Sequence, residues 1–511
     1  MKTPPDLNDA QWQAVISTAR YLLIVAGPGT GKTHTLTGRI ARQAADLPPG
    51  RKILAITFTN KAAEEMRQRL DREIPDLDER VMTGTFHQFC LSVLRKEALR
   101  IGLPRSFKVI APQEAEFLAH EFWPAKKSRE IKLFLEEISR LKADPNEETW
   151  PDDLRRFSKS LRQNGLLDFD DLLRETLLLW DDHPDVLKEL QSSYQDIFVD
   201  EFQDINPVQH ALIKNLVGNT GSLTAIGDPC QAIYGFRGSD VRFFESFEKD
   251  FPAAKIMTLV DNYRSMHNLL NACGQMIAAS ERISVPALTA TIYQQGRLII
   301  QEAATDKAEA EFVVHQIEKL VGGVGMFSQD SGRVDNDDVG HYSFGDVAVL
   351  FRLNSQVHVL KKAFDRLGIP YRAPDLNKDS KDIADDVCLR AVPEPQVDGE
   401  RVSLMTLHAA KGLEFPVVFI VGCNAGLIPL KMESMESDPQ EERRLFYVGM
   451  TRAKERLYLI SAGKRFLYGK FYQARPSSFL ADIDQELKEV AESMKRTTVK
   501  KNDQQMNLFK M

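Results

Sequence analysis

Residues 26–33 read AGPGTGKT, three glycines followed by a lysine and a threonine, directly after the apolar run YLLIVA. Glycines let backbone N–H groups converge on an anion, and a helix opening at that point adds its positive N-terminal end. The pattern is that of a phosphate cradle built from Gly27, Pro28, Gly29, Thr30 and Gly31. Lys32 is spaced to reach the β- and γ-phosphates of ATP, and the Thr33 hydroxyl to ligate Mg²⁺. Ala26 stands where such loops usually begin with glycine, so the strand before and the helix after carry the assignment.

A triphosphate site also needs a carboxylate for the metal and, where water is the acceptor, a second one to activate it. The stretch IFVDEFQD (197–204) supplies both. Asp200 leaves an apolar strand and is placed to hold Mg²⁺ through water. Glu201, next to it, is placed to orient and deprotonate the attacking water. A small-molecule kinase needs no base poised on water, so the pair favours hydrolysis over transfer.

These groups must be held by strands. Apolar runs at 21–27, 52–58, 196–201, 222–228 and 255–261 end in small or polar residues, as buried parallel strands do. A second series follows at 297–303, 346–352, 401–407, 416–422 and 456–462. Two such sets with helices between them predict two doubly wound α/β domains. Residues 91–194 have helical spacing and read as an insertion into the first domain. A Gly-, Ser- and Asp-rich stretch at 322–343 reads as a solvated loop, and 491–511 as a disordered polar tail. Residues 371–399 are acidic, hold three prolines and lack a sustained apolar period.

Bulk properties narrow the partners. A net charge of −7 argues against a generally basic nucleic-acid coat, so any nucleic-acid binding must be local. The five cysteines are scattered without a CxxC pair, which speaks against a zinc ribbon, an iron–sulfur cluster or a disulfide framework. No apolar run approaches membrane-span length and no secretory leader pattern is present, so a cytoplasmic protein is expected.

Nine segments in order give the chain its resemblance: LNDAQWQAV, AGPGTGKT, TFTNKAAEEM, TGTFHQF, VDEFQD, GDPCQAIYGFRG, NYRS, TLHAAKGLEF and EERRLFYVGMTRAKERL. From about residue 7 to about residue 480 it resembles a superfamily 1A helicase of the UvrD/Rep/PcrA type. That resemblance implies two RecA-like domains: 1A over 1–90 and 195–262, and 2A over 263–375 and 400–490, with helical insertion 1B over 91–194. It assigns Gln11 to the adenine edge, with Arg39 and Tyr263 beside the base. It sets Gln231, Arg264 and Arg452 around the γ-phosphate, where arginine from a second domain meets the charge that phosphoryl transfer spreads.

The resemblance further implies a track for single-stranded DNA. Phe58, Tyr234 and Phe236 match its base-stacking positions, with Phe236 where relatives carry Trp; His87, His408 and Glu414 match DNA-track positions more loosely. Relatives hold a large second insertion, 2B, after their counterpart of 368–372; here a short linker, 376–399, fills that gap. The tail residues Gln505, Met506, Leu508 and Phe509 resemble the peptide by which bacterial repair proteins dock on the sliding clamp. The implied activity is ATP-dependent 3′→5′ movement on single strands and at single-strand/duplex junctions. A same-fold alternative strips bound proteins with little unwinding, and an alternative of another class is an ATP-gated DNA-binding module. The full set of Lys32, Asp200, Glu201, Gln231, Arg264 and Arg452 argues against the module.

Overall fold

The computed structural model describes residues 6–144, 150–280, 287–322, 342–374, 400–431, 438–467 and 470–490. Two parallel sheets organise it. The first has six strands in the order Val81–Thr85, Lys52–Thr57, Tyr194–Val199, Ser222–Gly227, Tyr21–Ala26 and Lys255–Leu259. The second runs Tyr371–Arg372, Val402–Thr406, Val347–Phe351, Phe415–Val421, Ala453–Leu467, Arg297–Thr305 and Glu489–Val490. Lys470–Gln473 adds an antiparallel ribbon to Ala453–Leu467.

Side chains alternate across each strand, so a continuous apolar run feeds two cores at once. In Tyr21–Ala26, Leu23 enters the core on one face, while Leu22 and Ile24 enter that on the other. In Val347–Phe351, Ala348 and Leu350 join one core, and Val347, Val349 and Phe351 the opposite one. Helices cover both faces, which is the doubly wound arrangement expected. All ten expected strands are present, and both sheets gain members that the apolar runs did not mark. One is Val81–Thr85, where VMTGT is too short and too threonine-rich to stand out. Its last residue caps the next helix: the Thr85 side chain accepts from the backbone N–H of Gln88. That helix, Phe86–Glu97, runs across the expected insertion boundary at residue 91.

Between Val81–Thr85 and Tyr194–Val199 the chain is mostly helical, and part of it has a core of its own, including Ile110, Ile131, Ile138, Leu154, Phe157 and Leu161. Lys142 is buried there with its ammonium 2.6 Å from Asp171 and paired to Asp168. Residues 376–399, the Gly-, Ser- and Asp-rich stretch at 323–341 and the tail with Gln505, Met506, Leu508 and Phe509 lie outside the described residues. No helix among the described residues is long and apolar enough to cross a membrane.

One short segment belongs to both halves. Residues 228–238 leave the first sheet after Ser222–Gly227, yet Cys230 and Ile233 pack into a core of the second sheet. Arg444 donates from Nε to the Ala232 carbonyl at 2.6 Å, and Glu441 accepts the Gly235 N–H at 2.9 Å. The segment is therefore a strap fastened to the second sheet.

Candidate functional site

The two sheets meet at a cleft of about 600 Å³. Its floor is the loop after Tyr21–Ala26 and the start of the helix Lys32–Ala45. Gly29 and Gly31 take φ of +70° and +79°, a region that side chains enter at a cost. A Cβ on Gly31 would sit 2.6 Å from the Gln11 amide, so glycine is required twice over. The Lys32 ammonium donates to the carbonyls of Ala26 and Gly27 at 3.2 and 3.3 Å, folded over its own loop. The Thr33 side chain lines the cleft.

The acids stand at the end of Tyr194–Val199. Asp200 is buried, its carboxylate accepting the Glu201 N–H at 2.9 Å. Burial, with Glu201 adjacent, pushes its pKa up to about 7. Burial works against the charge of Glu201 too, but Lys411 and Lys32 outweigh it and hold its carboxyl below the usual range. Glu201 has a φ of +51°, which for a non-glycine residue costs about 1–3 kcal/mol and recurs at functional sites. Gln203 holds it: its amide nitrogen donates to the Glu201 carboxylate, and its oxygen accepts the Asp228 N–H at 3.0 Å. Thr33, Asp200 and Glu201 offer hard oxygen donors. Mg²⁺ is bound through one or two carboxylates plus substrate phosphate and waters, so this set fits Mg²⁺.

The roof comes from the second sheet and the strap. Arg452 is buried; its guanidinium donates to the Leu413 carbonyl at 3.1 Å and to Gln231 Oε1 at 3.3 Å. Burial first, then the cation of Arg264, lowers its pKa to about 9, which leaves it charged at neutral pH. Gln231 in turn donates to Asp228 at 2.7 Å. Arg264 and Tyr263 face the cleft, and the Tyr263 N–H donates to the Gly29 carbonyl at 2.9 Å. Asn262 ties the same turn to the floor by donating to the Pro28 carbonyl at 2.6 Å. The phosphate loop, Glu201, Gln231 and both arginines line one cleft.

Two expected placements change, those of Arg39 and Glu414. Arg39 is not beside the cleft: it is 1 % exposed and donates to the carbonyls of Ala14, Val15 and Ser17 and to Thr224. It lies on the helix face turned to the sheet, where its fork caps the end of Asp9–Ile16, and His34 lines the cleft instead. Glu414 is not on the aromatic track. It lines the cleft, 2.6 Å from both Arg264 and Lys454, because its loop returns toward the first sheet. Gln11 is buried, and its amide grips the Asn8 backbone and, at 2.9 Å, the Thr30 carbonyl; it braces the phosphate loop.

The other end of the strap carries rings. Tyr234 stacks on Phe58 with centroids 5.2 Å apart and planes 16° from parallel. Phe236, 43 % exposed, lies 6.1 Å from Tyr234 and 5.7 Å edge-on from His408. Burial and three nearby cations, Arg352, Arg237 and Lys411, press the His408 pKa well below its usual value. It is a neutral ring here. His87 lies farther along, 6.0 Å edge-on from the half-exposed Phe169. Arg237 lies 5.7 Å from the Phe236 ring.

Phe169, Gln203, Lys411 and His34 were not singled out from sequence. Lys411 sits inside TLHAAKGLEF and Gln203 inside VDEFQD, so the segment was visible but not the residue. Phe169, in LLDFDDLL, resembles core until its exposure is seen.

Residues 7–252 match the model for the UvrD/REP helicase N-terminal domain, and residues 257–379 and 373–464 match that for the UvrD-like helicase C-terminal domain. This chain belongs to the UvrD/Rep helicase family. Among its relatives, the ATP-dependent DNA helicase PcrA of Staphylococcus aureus strain Mu50 is 30% identical, over 96% of this chain and 88% of its own length. PcrA of Staphylococcus epidermidis strain ATCC 12228 is 29% identical, over 98% and 89%. In this UvrD/Rep-family chain, the cleft and ring track lie within the matched segments.

Proposed function

We propose that the chain is an ATP-dependent DNA helicase that moves 3′→5′ on single-stranded DNA and acts at single-strand/duplex junctions. The observation that carries the reading is the strap: residues 228–238 start at the γ-phosphate side of the cleft with Asp228 and Gln231 and end in the rings of Tyr234 and Phe236. Triphosphate chemistry and base stacking are thereby connected through eleven residues of chain fastened to the second sheet.

Gly29, Thr30, Gly31 and Lys32 would hold the phosphates of ATP, and Thr33 and Asp200 would hold Mg²⁺, which would supply charge neutralisation for phosphoryl transfer. Glu201 orients water and accepts its proton. Gln231, Arg264 and Arg452 meet the charge that develops on the γ-phosphoryl group. Arg264 and Arg452 line the same cleft as the phosphate loop, and the turn that carries Arg264 is already bonded to that loop through Tyr263 and Asn262, so the second domain's cations face the phosphate side directly. Bases of the single strand stack on Phe58, Tyr234 and Phe236, with His87, His408 and Phe169 lining the track; stacking of this kind contributes about 1–3 kcal/mol per base.

Residues 1–90 and 195–262 form domain 1A, 91–194 form 1B, and 263–375 with 400–490 form 2A; a separate 2B domain is missing. Two findings support that reading. The alignment with the Staphylococcus aureus relative runs over 666 positions against 511 residues here, so at least 155 positions of it face a gap. The C-terminal family model also matches in two pieces that meet at residues 373–379.

The test is ATP hydrolysis and strand displacement on 3′-tailed, 5′-tailed, forked and blunt DNA. ATP turnover stimulated by single strands, with displacement favouring a 3′ tail, is the expected result. Stimulated turnover without displacement of any duplex would instead establish a translocase that strips bound proteins, the reading the missing 2B favours. The clamp-like tail is tested by deleting the last eight residues, which should abolish binding to a bacterial sliding clamp; unchanged binding removes that partner.

A further inference from the structure

Lys411 lies in the turn between Val402–Thr406 and Phe415–Val421 of the second sheet, yet its ammonium is buried against groups of the first sheet and the strap. It pairs with the carboxylate of Asp204, which is itself inaccessible, and donates to the Gln231 carbonyl at 2.8 Å. It lies 3.8 Å from the Glu201 carboxylate and 5.0 Å from the centre of the Tyr234 ring. One cation thus touches or neighbours the acid proposed to activate water, the backbone of the γ-phosphate-side glutamine, and the ring proposed to carry a base.

The connections around it are stiff. Tyr234 is three residues from Gln231, and the intervening Ala232 and Ile233 are held by Arg444 and by the second core. A displacement of Tyr234 therefore passes to the Gln231 carbonyl with little slack, and Lys411 is bonded to that carbonyl. Because Asp204 fixes the other side of the ammonium, any shift changes the distance from Lys411 to Glu201. The same backbone movement carries Gln231, which meets Arg452. A lysine suits this place because its ammonium has three donors and a flexible stem, whereas an arginine fork is fixed in plane.

We infer that Lys411 is a positioning residue that transmits base stacking on Tyr234 to the placement of Glu201, so that it sets how strongly single-stranded DNA stimulates ATP hydrolysis. This rests on the nucleotide and single-strand assignments proposed above.

Steady-state ATP hydrolysis by the full chain, titrated with oligothymidylate and separately with ATP, tests it. In Lys411→Met the maximal DNA-stimulated kcat should fall by about tenfold or more, within the roughly 5–150-fold span of couplings between sites. The oligothymidylate concentration giving half-maximal stimulation and the KM for ATP should stay within about threefold, and Lys411→Arg should recover part of the lost kcat. Asp204→Asn, which removes the other anchor of the ammonium, should give the same split and serves if Lys411→Met does not fold. The inference is overturned if stimulated kcat is retained in both variants. It is equally overturned if oligothymidylate affinity falls in step with the rate, which would make Lys411 a DNA contact or a packing residue. A wild-type chain without any stimulation by oligothymidylate would instead remove the functional reading beneath it.

Discussion

The nucleotide cleft and the aromatic track lie at opposite ends of one strap, and they are built from different materials. The cleft is made of backbone amides, buried carboxylates and arginines, each with a fixed partner: Arg452 on Leu413 and Gln231, Glu201 on Gln203, Asp228 on Gln231. The track is made of ring faces that touch mainly one another, Phe58 on Tyr234 and Phe236 near His408. Phosphoryl transfer requires charge held in place before the reaction, because reorganisation at the barrier is what a preorganised site avoids. A moving strand requires the opposite, contacts with any base that are individually modest and readily exchanged. Single changes should therefore be catastrophic in the cleft and graded on the track.

The largest effect is expected at the roof. Arg452→Ala removes a cation aimed at the γ-phosphate and should lower single-strand-stimulated kcat by roughly 10³–10⁵. Comparable turnover in the variant, measured by phosphate release at saturating ATP and DNA, would erase the distinction between the two regions. Glu201→Gln comes next. It keeps the shape but removes the base, with an expected loss of about 10²–10⁴ in kcat and ATP still binding. Nucleotide affinity measured by equilibrium dialysis should change little, since the carboxylate acts on water and not on the phosphate loop.

How much of this was legible depended on whether chemistry is local in the chain. The phosphate loop, Asp200 and Glu201 could be read because each function occupies a few consecutive residues between a strand and a turn. The sheets could be read because buried parallel strands are continuous apolar runs. Val81–Thr85 escaped because an edge strand of five residues with two threonines has no such run. Arg39 misled because the family resemblance alone placed it beside the base, while its helix face turns inward to the sheet. Glu414 misled because its loop returns to the nucleotide side, which no spacing encodes. Lys411 went unremarked because its partners, Asp204 and Gln231, lie about two hundred residues away.

On the track the expected losses are smaller. Tyr234→Ala removes one stacking face and should weaken single-strand binding by about 1–3 kcal/mol, read as a shift in the oligothymidylate titration of fluorescence anisotropy. Phe236→Ala should cost less, because its ring is more exposed than that of Tyr234. Should either abolish ATP turnover at saturating DNA, the track would belong to the catalytic machinery. The corrected residue gives a complementary test. Arg39→Met leaves carbonyls of Ala14, Val15 and Ser17 without their donor, about 1–3 kcal/mol for each buried group left unsatisfied. The unfolding midpoint should drop while the KM for ATP holds. A raised KM at unchanged stability would return Arg39 to the base.

The smallest predicted effect lies beneath the track, where Asp170 accepts from Ser139 at 2.6 Å close to the Lys142 cluster. Burial, with Asp168 nearby, raises its pKa to about 6 against an ordinary 3.8. The sign follows from proton counting. Below about pH 4 both the folded and the unfolded carboxyl hold a proton, and nothing is lost. Between 4 and 6 the unfolded chain gives up its proton while the folded one keeps it, so stability falls as pH rises. Above 6 the full cost of charging this partly exposed carboxyl beside Asp168 is present. Asp170→Asn keeps the acceptor for Ser139 and removes that charge. Its unfolding temperature should exceed that of the unaltered chain at pH 8, and the gap should close as pH falls toward 4. A gap that widens toward acid would mean the Asp170 carboxylate is stabilised by its surroundings, and the ground under the rings would then be as charge-organised as the cleft.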